Sequence, residues 1–140
     1  MTFAGINYLA VVLAAIASFL FGGVWYGVFA QKWMDALGKS EAELKSGARP
    51  MPLLFGMTIV AELVMATLLA GIVGHLGADQ VTVRNGLISS AFVWAGFVAT
   101  TLAVNHGYQG SRWQLTVIDG AHWLGVLLIQ GLIIGWMGVA

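Results

Sequence analysis

Residues 116–131, TVIDGAHWLGVLLIQG, set an acid, an imidazole and an amide into an otherwise apolar run. Helical spacing brings Asp119, His122, Val126 and Gln130 within about 80° of one another, one stripe down a single helix face. A second acid, Glu62, stands inside another apolar run with Thr58 one turn before it on the same face. Carboxyl groups beside an imidazole are the material of a proton relay or of acid–base catalysis, because each can hold and release a proton. Glu62, Asp119 and His122 are therefore the candidate catalytic or relay residues.

The elements that must position these groups follow from composition. The chain has 140 residues, 59% hydrophobic and 9% charged. Water-soluble domains usually carry about 25% charged residues, so this chain cannot cover a water-facing surface and is expected to be an integral membrane protein. Its length suits a single domain, 1–140. Six basic and six acidic residues balance, which gives nucleic acid no electrostatic footing. The absence of cysteine excludes disulfides, iron–sulfur clusters and thiol catalysis.

Four apolar runs, about 6–29, 53–76, 85–104 and 115–137, each reach the roughly 20 residues that a helix needs to cross a bilayer. None alternates as a barrel strand would, and backbone groups in lipid must be satisfied within the segment, so all four are expected to be helices. The fold expected is all-α: a polytopic bundle of four transmembrane helices. Residues 30–52 form the first loop, where Ser40 followed by Glu43 has the spacing of a capping box and predicts a short cytoplasmic helix ending before Gly47 and Arg49-Pro50.

Basic residues set the orientation. Lys32, Lys39, Lys45 and Arg49 lie in the first loop and Arg112 in the third, while Arg84 alone lies opposite. By the positive-inside rule, loops one and three face the cytoplasm and both termini face away, in a cell inner (cytoplasmic) membrane. Glu62 is then nine residues past Leu53, roughly 13 Å deep, with Asp119 and His122 at roughly 6 and 10 Å from the same face.

An ionised carboxylate at mid-membrane costs about 2.5 to 3.5 kcal/mol on insertion scales, so these groups should turn inward and be protonated or paired. Two pairings are open: Glu62 with His122 across two helices, or Asp119 with His122 at i, i+3. Either way the stripe forms the wall of an internal polar pocket between spans two and four. Gln130, Asn7, Thr58, Thr67 and Ser89 also suit a plainer role, joining helices by hydrogen bonds. Ala91, Ala95, Ala99 and Ala103 form a small-residue ridge on span three, and Gly131-xxx-Gly135 another on span four, each fit for close helix contact within or between subunits. Homo-oligomerisation is expected from the small size of one subunit.

At FGGVWYGVFAQKWM and NHGYQGSRWQLTVIDGAHW the chain resembles a bacterial family of small four-helix membrane proteins catalogued as domain of unknown function 1761. The similarity spans essentially the whole chain and implies four membrane helices, with no activity attached. It draws attention to Trp25, Tyr26, Asn105, His106, Asp119 and Gly120, which the topology independently places toward one membrane face. With Thr58, Trp123 and Gln130, the residues Trp25, Tyr26, Asn105 and His106 complete the candidate pocket.

Three functions compete. The first is a proton-linked transporter or channel-like oligomer, with Glu62 coupling and Asp119 and His122 as relay and gate. The second is a membrane-embedded enzyme acting on a lipid or isoprenoid-like substrate by acid–base chemistry, with Trp25, Trp94 or Trp123 stabilising a cation. The third is a non-catalytic assembly protein. Asp-x-x-His puts two potential ligands on one face, but no metal signature surrounds it, and neither metal nor cofactor is expected. Partners expected are the lipid bilayer and a lipid or small-molecule ligand, with no nucleic acid.

Overall fold

The computed structural model describes residues 4–140, and among them every regular element is helical. Helix α1 spans Tyr8–Leu37, α2 Glu41–Gly47, α3 Met51–Gly74, α4 Val83–Tyr108 and α5 Trp113–Met137. A 3-10 turn, Ala78–Gln80, leads into α4. The four long helices are each long and apolar enough to cross a membrane.

Local chemistry fixes the ends. The side chain of Asn7 accepts from the Ala10 amide to cap α1, which stops at Gly38 in the left-handed conformation (φ 69°). Ser40 and Glu43 close the capping box of α2 in both directions. Pro52 sits in the first turn of α3, where its missing N–H costs nothing, and Thr82 caps α4. The expected end of the first run at Phe29 falls short of the observed end at Leu37. Residues 30–37 interrupt the apolar run with Gln31, Lys32 and Asp35 but hold no breaker, and most are good helix formers, so the helix continues to Gly38.

Helix α5 is the centre of the packing: it lies along α1 on one side and α4 on the other, while α3 packs chiefly on α1. The α4–α5 contact is made backbone to backbone. A Cβ at Gly86 would lie 2.1 Å from the Gly131 carbonyl oxygen, and one at Gly135 would lie 2.3 Å from that of Thr82. The Ser90 hydroxyl joins this seam, within 2.7 Å of the Leu127 carbonyl oxygen. The alanine ridge of α4 has no such role within the chain, since Ala91, Ala95 and Ala103 are exposed. Between α1, α3 and α5 a core of Val11, Ala14, Ala66, Leu69, Val73 and Leu127 closes. The outward faces carry bare apolar side chains such as Val28, Phe92 and Phe97, a surface fit for hydrocarbon.

One segment departs from the α pattern. Residues Trp94–Ala99 of α4 form a wide π-type turn, in which each N–H reaches five residues back instead of four. At one end of the molecule Arg112 donates to the Asp35 carbonyl oxygen (2.7 Å), joining the 109–112 turn to the end of α1. At the other end Asn7 Nδ2 donates to the Gly138 carbonyl oxygen (3.3 Å).

Candidate functional site

Glu62 is fully enclosed on the inward face of α3. Its Oε2 lies 3.1 Å from the Ser18 hydroxyl of α1. The Gln130 amide of α5 donates to Ser18 Oγ and to the Glu62 carbonyl oxygen, both at 3.1 Å. Three helices therefore meet in one buried polar knot. Ser18 Oγ is also 3.2 Å from the Ala15 carbonyl oxygen. That second acceptor gives the knot two proton arrangements. With Glu62 ionised, Ser18 donates to it; with Glu62 protonated, the carboxyl donates to Ser18 Oγ and Ser18 turns its hydrogen to Ala15. No heavy atom needs to move between the two.

A second cluster is built on Asp119. Tyr26 Oη donates to its Oδ1 at 2.6 Å and Trp33 Nε1 donates to the same oxygen at 3.2 Å, both from α1. Its Oδ2 lies 4.0 Å from His106 Nε2, and His106 Nδ1 is 2.9 Å from Thr116 Oγ1. Two indoles brace the same region: Trp25 Nε1 donates to the Ile118 carbonyl oxygen (3.2 Å) and Trp94 Nε1 to that of Gly120 (2.7 Å). Each carbonyl has a second lone pair to offer beyond its helical bond.

His122 lies between the clusters and bonds to neither acid. The two pairings expected for it, with Glu62 and with Asp119, are not made: among the described residues the ion pairs are Lys45–Glu41 and His106–Asp119. The reason is packing. The imidazole stacks on Phe21 (9° between planes), tilts against Tyr26 and meets Trp123 edge-on, so it is held by rings rather than by charge. Gly22 makes room for it, since a Cβ there would lie 2.9 Å from His122 Nε2. Each acid meanwhile finds hydroxyl or indole donors on α1.

Glu62 and His122 do share a cavity. It encloses about 360 Å³ between α1, α3 and α5, and its walls include Phe19, Tyr26, Phe55, Thr58 and Trp123. Among the described residues, the buried side-chain polar atoms without a hydrogen-bond partner are Glu62 Oε1, His122 Nδ1 and Gln130 Oε1. The first two belong to residues of this cavity wall. Such unsatisfied groups are rare, and each marks strain, chemistry or a missing partner. No three His, Asp or Glu side chains among the described residues are grouped to hold a metal ion.

The chain matches the family described as a protein of unknown function, DUF1761, over residues 9–135. It belongs to that family. No curated protein and no solved structure matches it. For this DUF1761 chain, then, the site must be read from its own geometry. Of the candidates taken from sequence, Tyr26, Thr58, Glu62, His122 and Trp123 line the cavity. Trp25, His106 and Asp119 belong to the neighbouring cluster, and Gln130 to the polar knot. Asn105 is exposed at the end of α4 and joins neither. Sequence reasoning missed Ser18, Trp33 and Thr116, which supply partners to the acids and to His106. Their one signal is a lone hydroxyl or indole on a helix face that turns inward, visible only once the facing helix is known.

Proposed function

We propose that this protein is a proton-linked membrane transporter, in which Glu62 exchanges a proton as a small solute enters or leaves the cavity between α1, α3 and α5. One observation carries the reading. The Glu62 carboxyl is enclosed, holds one oxygen in a knot that accommodates both protonation states, and has its other oxygen unpartnered on a residue of the cavity wall. A buried polar atom without a partner is rare and calls for an explanation, and an exchanging proton or an incoming solute supplies one. The enzymatic alternative needs two acids and a base around one substrate, and Asp119 is instead bonded to Tyr26 and Trp33 outside the cavity wall.

Orientation enters the same proposal. Lys32, Lys39, Lys45, Arg49 and Arg112 gather at the end where Arg112 meets Asp35, so that end is taken as cytoplasmic and the chain ends as facing away, in an inner membrane.

The test uses proteoliposomes holding a pH-sensitive dye, exposed in turn to small organic cations, anions and neutral solutes. Wild type changes the lumen pH with at least one class, and Glu62→Gln does not. A lumen pH that stays constant with every class, or responds equally in Glu62→Gln, refutes the proposal.

A further inference from the structure

We infer that the cavity takes a lipophilic ammonium cation, a positive nitrogen on a compact hydrocarbon or aromatic body. The inference rests on the reading of Glu62 as the proton-exchanging group and names what replaces the proton.

Charge argues first. The cavity wall holds one carboxyl, Glu62, and neither Lys nor Arg. The titratable groups sharing that wall are Tyr26 from α1 and His122 from α5, with Asp119 bonded behind Tyr26. An anion entering beside Glu62 would bring like charges together in a medium that screens poorly. A neutral solute would leave the unpartnered oxygen no better served than before unless it carried a well-placed donor. A cation set against the ionised carboxyl balances its charge.

The walls argue second. Phe19 and Phe55 meet edge to face at 5.8 Å (89°), and Tyr26 and Trp123 add two more rings, so four aromatic groups from three helices line the cavity with the acid. Aromatic faces attract ammonium groups through their quadrupole, and the attraction grows when both are out of water. Aromatic rings with one carboxylate are a recognition set for organic cations. Bare metal ions would need several oxygen ligands that the wall does not offer.

Size and access argue third. About 360 Å³ is at the small end of ligand pockets. At the rim, Gly23 and Phe55 are exposed on the outer faces of α1 and α3, so the cavity is reached from the side that faces hydrocarbon. A molecule that arrives by that route must be soluble in lipid.

The exchange balances. Protonated Glu62 plus the cation gives ionised Glu62 holding the cation, and one proton leaves. The net charge of the cavity is the same before and after.

Two probes of one shape test this: benzyltrimethylammonium, and neopentylbenzene, in which carbon replaces the charged nitrogen. Each is titrated calorimetrically into the full chain in nanodiscs, against protein-free nanodiscs, with proton release followed in weak buffer. The cation is expected to bind and release one proton, to bind at least tenfold more tightly than its neutral twin, and to lose both effects in Glu62→Gln. Because that variant alters the polar knot, Phe55→Leu provides a second reading. It keeps apolar bulk on an exposed position, and is expected to weaken the cation about threefold or more and to weaken neopentylbenzene by a smaller factor. Equal affinity for the two probes overturns the assignment, as does cation binding without proton release, or no binding of either. If the cation binds with proton release but no solute changes the lumen pH, the cation site stands and transport falls.

Discussion

Replacing Gly86 by alanine tests whether α4 and α5 must touch through their backbones. The added Cβ would lie 2.1 Å from the Gly131 carbonyl oxygen and 2.8 Å from its carbonyl carbon. Non-bonded heavy atoms settle at about 3.5 Å or more, so the helices must part by about 1.4 Å at this level. The Ser90 hydroxyl, now 2.7 Å from the Leu127 carbonyl oxygen, would then stand at about 4 Å, beyond hydrogen-bond reach. Overpacking of this kind costs about 1–3 kcal/mol. The lost interhelical bond adds about 0.6–1.7 kcal/mol. Together they predict a loss of about 2–5 kcal/mol. Unfolding in mixed micelles, followed by far-ultraviolet circular dichroism, measures it. Gly27→Ala is the control: nothing lies within 4 Å of its added methyl, and the helix should gain about 1 kcal/mol from propensity. If Gly86→Ala unfolds within about 0.5 kcal/mol of wild type, the close seam between α4 and α5 is wrong.

Three other expectations are independent of it. Gly22→Ala drives a methyl into the His122 ring (2.9 Å from Nε2), which Phe21, Tyr26 and Trp123 confine, so the His122 imidazole resonances should shift while those of His75 stay fixed; unchanged His122 signals would contradict the contact. Asp119→Leu strands the Tyr26 hydroxyl and the Trp33 N–H, at about 1–3 kcal/mol for each donor left unpaired, whereas Asp119→Asn keeps an acceptor oxygen and should lose less in the same unfolding measurement. Helix α2 should fray on acidification. Hydrogen bonds from the Ser40 backbone and hydroxyl hold the Glu43 carboxyl below its usual range, and the bond from Lys45 does the same for Glu41. Groups lowered by folding stabilise above their unfolded values, and that contribution disappears as pH falls through the lowered ones. Amide shifts of residues 41–47 in nanodiscs report the loss, and a helix that strengthens in acid would reverse the sign.

Much of the architecture was legible because it rests on burial energetics. Uninterrupted apolar length names the four long helices, and Ser40 with Glu43 names α2, since both signals are local. That Glu62 must lie inside also follows locally, because an outward carboxyl would face hydrocarbon. What sequence could not supply was the partner. Turning inward suggests that Glu62, Asp119 and His122 meet each other, whereas Glu62 is bonded by Ser18, and Asp119 by Tyr26 and Trp33 with His106 at 4.0 Å. A neutral donor of the right reach serves a carboxylate as well as an imidazole does, and which one arrives depends on helix rotation. Rotation in turn depends on contacts such as Gly86 on Gly131: the Gly131-xxx-Gly135 ridge is legible in sequence, but its partner Gly86 is one glycine among 19. The π-type turn was invisible too, since its single glycine, Gly96, is one among 19 and nothing local sets it apart.

That turn makes the length of α4 as consequential as its composition. It lets Ser90 meet Leu127 on one side of it while His106 meets Thr116 on the other. Rewinding Trp94–Ala99 to ordinary α geometry at unchanged length would swing everything beyond by about 100°. His106 would then point away from Asp119, although no residue touching either had been altered. Deleting one residue there would instead restore ordinary winding and keep the far segment facing as it does, so a single deletion should be tolerated better in this stretch than elsewhere in α4, and the turn acts as slack that takes up one residue.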